Sequence, residues 1–196
     1  MIISADEVGR SLKGTVALLN HRPEGLSAFD LSERGFWRSF VAVWLTLPAY
    51  IVSLALERMR LGLSDASEPL LGNFWIDLVV ALAHVASFLA LPIATIFIVR
   101  GMRLATRYAP FVIVTNWISV AALLALSVPA ILLLAGWATP ALATLFTLAF
   151  AVIVFRVQWF ATRVTLGVSP GFATGIVMLG IILNGAIATI MRGVLS

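Results

Sequence analysis

Long runs of apolar residues alternate with short polar segments along most of the chain. Five of these runs are predicted to cross a membrane, at about residues 40–56, 74–99, 109–134, 141–159 and 172–191. The second and third runs are each longer than the roughly 20 residues that an α-helix needs to cross a bilayer. The pattern therefore predicts an all-α, polytopic membrane protein, with a five-helix transmembrane bundle over residues 40–196.

Residues 1–39 have a different pattern, which predicts a short amphipathic N-terminal segment on the cytoplasmic side. Ser4 and Glu7 have the spacing of a capping box, so a helix is expected to begin there. Apolar residues then recur at helical spacing, at Val8, Leu12, Val16 and Leu19. Such a helix either lies on the inner membrane surface or packs on the protein's own cytoplasmic face, and the sequence leaves both open. Asp30 or Ser32 is expected to cap a second helix that continues into the first span.

The composition supports a membrane protein, and the absence of catalytic motifs argues against an enzyme. Hydrophobic residues make up 61% of the chain and charged residues 11%, whereas soluble domains average about 45–50% apolar and about 25% charged residues. The chain has no cysteine, which excludes disulfides, cysteine-ligated zinc and iron–sulfur clusters. Metalloprotease, serine-hydrolase, P-loop and dinucleotide-binding motifs do not occur in the sequence. We expect no catalytic residues and no cofactor or metal.

The basic residues predict how the bundle is oriented. The turn between the second and third spans carries Arg100, Arg103 and Arg107 without an acidic residue. With the N-terminus inside, ten of the 13 lysines and arginines lie on the inner side, as the positive-inside rule requires. The external loop is then Glu57–Asn73, and the C-terminus is outside. The expected location is the bacterial cytoplasmic (inner) membrane. Four tryptophans fall near the two predicted interfaces: Trp37 and Trp159 inside, Trp75 and Trp137 outside.

The same three arginines are candidate contacts for lipid phosphates. Arg100, Arg103 and Arg107 are spaced i, i+3 and i+7, so they can line one helical face. A basic residue near an anionic membrane surface contributes about 1 kcal/mol of attraction. The alternative is that they only mark the topology. The predicted partners are therefore membrane lipids, mainly anionic ones, and no nucleic acid.

Polar residues inside the predicted spans form a candidate intramembrane cluster. Asp77 and His84 lie seven residues apart on one face of the second span, and Ser87 follows one turn later. Asn116 and Asn184 are the polar interruptions of the third and fifth spans. An ionisable group within a membrane suggests a functional site, here a proton relay or a substrate pathway. Alternatively, Asp77 reaches water and the others join helices through modest hydrogen bonds.

The fifth span carries small residues at four-residue spacing, which predicts a helix-packing face. The residues are Gly171, Gly175, Gly185 and Thr189. Small residues allow a second helix to approach closely, so that van der Waals contact holds the pair. That second helix belongs either to this chain or to another protein, in a homo- or hetero-oligomer.

Two functions remain open. The first is a non-enzymatic scaffold or accessory subunit that works through protein or lipid contacts, as the amphipathic segment and the small-residue face suggest. The second is a transporter or channel subunit for a small solute or ion, with its polar site near Asp77, His84, Asn116 and Asn184. The second function would use Pro48, Pro92 and Pro129 as hinges, whereas in the first they are static bends.

The layout also resembles a known family. Five spans, a cytoplasmic amphipathic N-terminus and a short external C-terminus are similar to the Yip1 family of small membrane proteins. The segment Phe29-Asp30-Leu31-Ser32-Glu33-Arg34-Gly35-Phe36-Trp37-Arg38-Ser39-Phe40 resembles that of small bacterial inner-membrane proteins. The resemblance implies a non-enzymatic membrane protein that works through partners or lipids.

Overall fold

The computed structural model describes residues 4–63 and 73–195, and all its regular elements in those ranges are helices. In chain order the α-helices are α1 (Ala5–Leu19), α2 (Glu33–Val41), α3 (Leu47–Arg60), α4 (Phe74–Gly101), α5 (Ala105–Leu134), α6 (Pro140–Leu166) and α7 (Pro170–Leu195). Two 3-10 helices occur, at Pro23–Ala28 between α1 and α2 and at Ala42–Thr46 between α2 and α3. The second of these joins α2 to α3, so that residues 33–60 form one continuous helical rod.

Five of these helical rods are long and apolar enough to cross a membrane. They are Glu33–Arg60, Phe74–Gly101, Ala105–Leu134, Pro140–Leu166 and Pro170–Leu195. Each predicted span lies inside one of them, which confirms the all-helical fold with five long apolar helices and fits an integral membrane protein.

The boundaries differ from the sequence-based ones at two places. The first rod begins at Glu33, so the predicted division after residue 39 falls inside α2. Residues 57–60 were expected in the external loop but belong to α3. Residues 64–72 of that loop, with Asp65, Glu68 and Pro69, lie outside the described residues 4–63 and 73–195.

Side-chain caps explain where several helices begin. The hydroxyl of Ser4 accepts a hydrogen bond from the Glu7 amide at 3.2 Å, and that of Ser32 accepts one from the Gly35 amide at 3.1 Å. Each satisfies an amide that has no partner within its own helix. Ser32 rather than Asp30 therefore caps α2, which begins the first rod and continues into the first predicted span, as the sequence predicts.

Pro48 marks a change of helix type and not a bend within one helix. It lies in the first turn of α3, directly after the 3-10 segment Ala42–Thr46. A first-turn proline costs no helical hydrogen bond, because the amide it lacks would have no partner there. Pro92 and Pro129 instead lie inside α4 and α5, which continue through them.

Helix α5 forms the centre of the bundle over about half its length. Eight consecutive residues, Phe111–Ile118, are buried on every face of the helix. They are enclosed because α1, α2, α3, α4 and α6 all pack on α5. We call residues 5–28 the arm, and the end of the bundle where α2, α5 and α7 begin the arm end. Large apolar side chains in the first half of α6, such as Leu145, Leu148 and Val152, are exposed, as expected for a lipid-facing surface.

Candidate functional site

One face of the first rod carries only small residues. Gly35, Ser39, Ala42, Thr46 and Ala49 recur at alternating steps of four and three residues, and all five are buried. We call this face the seam. Small side chains allow neighbouring helices to approach closely. The two hydroxyl-bearing members of the seam, Ser39 and Thr46, bind the polar residues of α5 and α4.

Ser39 binds Asn116 of α5. The Asn116 Nδ2 donates to Ser39 Oγ at 3.0 Å, and Ser39 Oγ donates in turn to the Phe36 carbonyl at 2.7 Å. Asn116 is only 1% exposed, so water does not compete for this bond. The amide therefore ties the centre of the bundle to the first rod.

Thr46 binds His84 of α4. The distance between Thr46 Oγ1 and His84 Nε2 is 2.7 Å, and Thr46 Oγ1 also lies 2.6 Å from the Val43 carbonyl, to which it donates. The Thr46 hydroxyl therefore lies between the His84 ring and a carbonyl of its own helix, and it joins α4 to the first rod.

Tyr50, one turn further along the first rod, lies beside both His84 and Asp77. Its ring packs edge-on against His84 with the centroids 5.8 Å apart, and its hydroxyl donates to the Asp77 backbone carbonyl at 3.2 Å. Asp77 and His84 thus share Tyr50 as a neighbour, while the hydrogen bond of the His84 ring goes to Thr46. Ser87, one turn beyond His84, is half-buried.

Asn184 does not join these residues. It is exposed on α7, and its Nδ2 donates to the carbonyl of Gly180 in the same helix at 2.9 Å. The predicted polar cluster is thus divided among three places: Asn116 at Ser39, His84 at Thr46, and Asn184 on the outside of α7.

The three arginines near the α4–α5 turn do not share one helical face, so that prediction is wrong. Helix α4 ends at Gly101 and α5 begins at Ala105, and Arg103 between them has a left-handed backbone with φ 58°. Arg100 and Arg103 are exposed. Arg107 instead donates to the Leu166 carbonyl at 3.0 Å and covers the C-terminus of α6.

The small residues predicted as a packing face lie on the outside of α7. Gly171, Gly175, Gly185 and Thr189 are all exposed. A Cβ added to any of the three glycines would meet no atom within 4 Å. The prediction that this face packs against another helix of the same chain is therefore wrong. Packing against another chain stays a prediction. The close approach in α7 is at Gly180, where an added Cβ would lie 3.4 Å from Leu91.

The arm is fastened to the bundle by a buried ion pair. Glu7 of α1 is 4% exposed, and its carboxylate pairs with the guanidinium of Arg38 in α2. The Glu7 side chain therefore does not complete the expected capping box with Ser4. A buried charge is tolerated because its partner is present, and removal of the Arg38 guanidinium would leave the Glu7 carboxylate without that partner.

Glycines allow the arm to fold closely on itself. A Cβ on Gly14 would lie 2.6 Å from the Phe29 ring and 2.9 Å from the Gly25 carbonyl oxygen, and real Cβ atoms essentially never approach so closely. The turn that follows α1 also contacts α6, since the Arg156 Nη2 and the His21 Nδ1 are 3.0 Å apart. The His21 ring also packs edge-on against Phe160, with centroids 4.9 Å apart.

Helix α1 has three distinct faces. The buried face carries Glu7, Ser11, Gly14, Thr15 and Leu18, of which all but Leu18 are small or polar. The apolar face carries Leu12 and Val16, which are 40% and 57% exposed. The charged face carries the exposed residues Asp6, Arg10 and Lys13. Of the four apolar residues that define the helix in the sequence, Val8 and Leu19 pack against the core, whereas Leu12 and Val16 are exposed.

The electrostatics at the start of α2 follow from local hydrogen bonds. The hydroxyl and the amide of Ser32 lower the pKa of Asp30, whose Oδ1 accepts from that amide at 3.1 Å. Asp30 is thus ionised beside the N-terminus of the first rod, where the helix dipole favours a negative charge. Among residues 4–63 and 73–195, no three histidine, aspartate or glutamate side chains are grouped to hold a metal ion.

Sequence reasoning missed Ser39, Thr46 and the Glu7–Arg38 pair. The signal for the two hydroxyls was their seven-residue spacing within an apolar run, which places both on one helical face. No such signal existed for the ion pair, whose members are 31 residues apart. No protein-family model, curated protein or solved structure matches this chain.

Proposed function

We propose that this protein is a non-enzymatic scaffold or accessory subunit of the bacterial inner membrane, and that it acts through contacts made by the arm. The proposal rests on the observation that α1 has one buried face and two exposed faces of different character. Its buried face is fixed to the bundle by Glu7 and Arg38, while its apolar and charged faces are both exposed. A helix so fixed presents a constant surface to a partner.

The proposed orientation places the arm on the cytoplasmic side, because most basic residues lie at the arm end. In this arrangement Leu12 and Val16 meet the membrane interface, as in helices that lie in the plane of a bilayer. Asp6, Arg10 and Lys13 then face the cytoplasm, where a protein partner would bind. The proposal thus assigns the two alternatives for α1, membrane contact and packing on the protein, to different faces of one helix.

The transporter alternative receives less support. It needs Asp77, His84, Asn116 and Asn184 to line one hydrated path. In the bundle Asn116 binds Ser39, His84 lies against Thr46, and Asn184 binds its own helix. Each of these bonds favours a role in joining or stabilising helices over a role in transport.

A photocrosslinking experiment in living cells tests the proposal. A photoreactive amino acid is placed at Arg10 on the charged face, at Val16 on the apolar face, or at Ser11 on the buried face. We expect a reproducible protein adduct from position 10 and none from positions 16 and 11, since those two face lipid and the bundle. The same pattern should hold at Lys13. The absence of a protein adduct from position 10 and also from position 13 would contradict the proposed function.

A further inference from the structure

A groove of about 370 Å³ lies between α2 and α5 at the arm end. Its walls come from the first turns of the two helices, and the lining residues are Glu33, Phe36, Trp37, Ala105, Tyr108 and Ala109. The spacing i, i+3, i+4 occurs on both sides, so each helix contributes a single face. None of these residues belongs to the seam or to the exposed faces of α1.

The groove is placed at the depth of the phospholipid headgroups. Helix α5 has 30 residues, which corresponds to about 45 Å at 1.5 Å per residue. The hydrocarbon core of a bilayer is about 30 Å thick, so the ends of α5 extend into the headgroup layers. The first turn of α5, which lines the groove, is one of those ends.

The lining combines aromatic rings with one carboxylate. Phe36 packs edge-on against Trp37 with ring centroids 5.3 Å apart, and it lies 6.4 Å from the Tyr108 ring. The Tyr108 hydroxyl donates to the Pro92 carbonyl at 2.9 Å, which fixes that ring. Trp37 is 55% exposed, so a face of its indole is available to a ligand. Within the described part of the chain, Glu33 is exposed and forms no ion pair.

Aromatic faces beside a carboxylate are suited to an ammonium group. Indole and phenol rings attract cations through their quadrupole, and Glu33 supplies a full negative charge. Exposed arginines lie close by in the chain, Arg34 next to Glu33 and Arg103 two residues before Ala105. An ammonium group joined to a phosphate therefore matches both charges at this end of the bundle.

We propose that the groove binds the headgroup of a phospholipid that carries an ammonium group, with Glu33 and Trp37 holding the ammonium. The lipid lies in the leaflet at the arm end. This inference deepens the proposed function, since it rests on a membrane-embedded scaffold, and it names one class of lipid among the predicted lipid partners. It also adds a zwitterionic lipid to the anionic ones that the arginines favour.

Native mass spectrometry of the delipidated full-length protein tests this inference. The probes are phosphatidylethanolamine and its N-acetylated analogue with the same acyl chains, in which the ammonium becomes a neutral amide. We expect about fivefold tighter binding of phosphatidylethanolamine by the unmodified protein. Because a cation–π contact at an exposed site corresponds to about a two- to fivefold change in affinity, Glu33→Gln and Trp37→Leu should each reduce the preference to about twofold or less.

A matched variant shows whether the lipid preference depends on the groove itself. Trp137→Leu, at the opposite end of the bundle and 79% exposed, should keep the fivefold preference. Equal binding of both lipids by the unmodified protein, or an unchanged preference in Glu33→Gln, would overturn the inference. The outcome is separate from that of the proposed function: the protein adduct from position 10 should persist in Glu33→Gln, and its absence in the unmodified protein would leave the lipid preference intact.

Discussion

Replacement of Arg38 by methionine is expected to destabilise the protein by about 3 kcal/mol, because it leaves the buried carboxylate of Glu7 without its partner. Glu7 is 4% exposed, so water cannot substitute for the guanidinium. The free energy of unfolding in mixed micelles measures this loss. The double variant Glu7→Gln/Arg38→Met should recover most of it, since neither position of the pair then carries a charge.

Arg34→Met is the matched control for this change. Arg34 lies one turn away in α2 and is exposed, and exposed substitutions usually change stability by less than about 0.5 kcal/mol. Equal effects of Arg38→Met and Arg34→Met would show that the Glu7–Arg38 pair does not hold the arm. So would a double variant as unstable as Arg38→Met alone.

A leucine at position 14 is expected to detach the arm, whereas a leucine at position 9 of the same helix is expected to stabilise it. A Cβ at Gly14 would lie 2.6 Å from the Phe29 ring, but one at Gly9 would meet no atom within 4 Å. Overpacking of this kind costs about 1–3 kcal/mol. Replacement of a helical glycine by a good helix former contributes roughly 1 kcal/mol of stability. The two substitutions should therefore act in opposite directions.

Hydrogen exchange of the amides in residues 5–28 measures this difference. Gly14→Leu should speed exchange across the arm, while Gly9→Leu should slow it or leave it unchanged. The same direction of change in both variants would mean that close packing at Gly14 does not hold the arm in place.

The long helices could be predicted from the sequence because apolar length is a property of one segment at a time. Each of the five predicted spans lies within one long apolar helix, and Ser4 and Ser32 cap helices as their spacing suggests. Such local features need no knowledge of the neighbouring helices.

The pairing of side chains could not be predicted, because it depends on which helices are neighbours. Asp77 and His84 appear as a pair along one helix, yet the His84 ring bonds to Thr46 of the first rod. The arm shows the same limit. Leu12 and Val16 belong to the same apolar pattern as Val8 and Leu19, yet only Val8 and Leu19 pack against the core. The resemblance to the Yip1 family stays a prediction.

Labelling of single cysteines in intact cells tests the central claim, that five helices cross the membrane with the arm inside. The chain contains no cysteine of its own, so each variant carries a single thiol. A membrane-impermeant maleimide should label Trp137→Cys in intact cells, and should label Arg103→Cys and Gly9→Cys only after the membrane is permeabilised. Labelling of Arg103→Cys from outside intact cells would contradict the account.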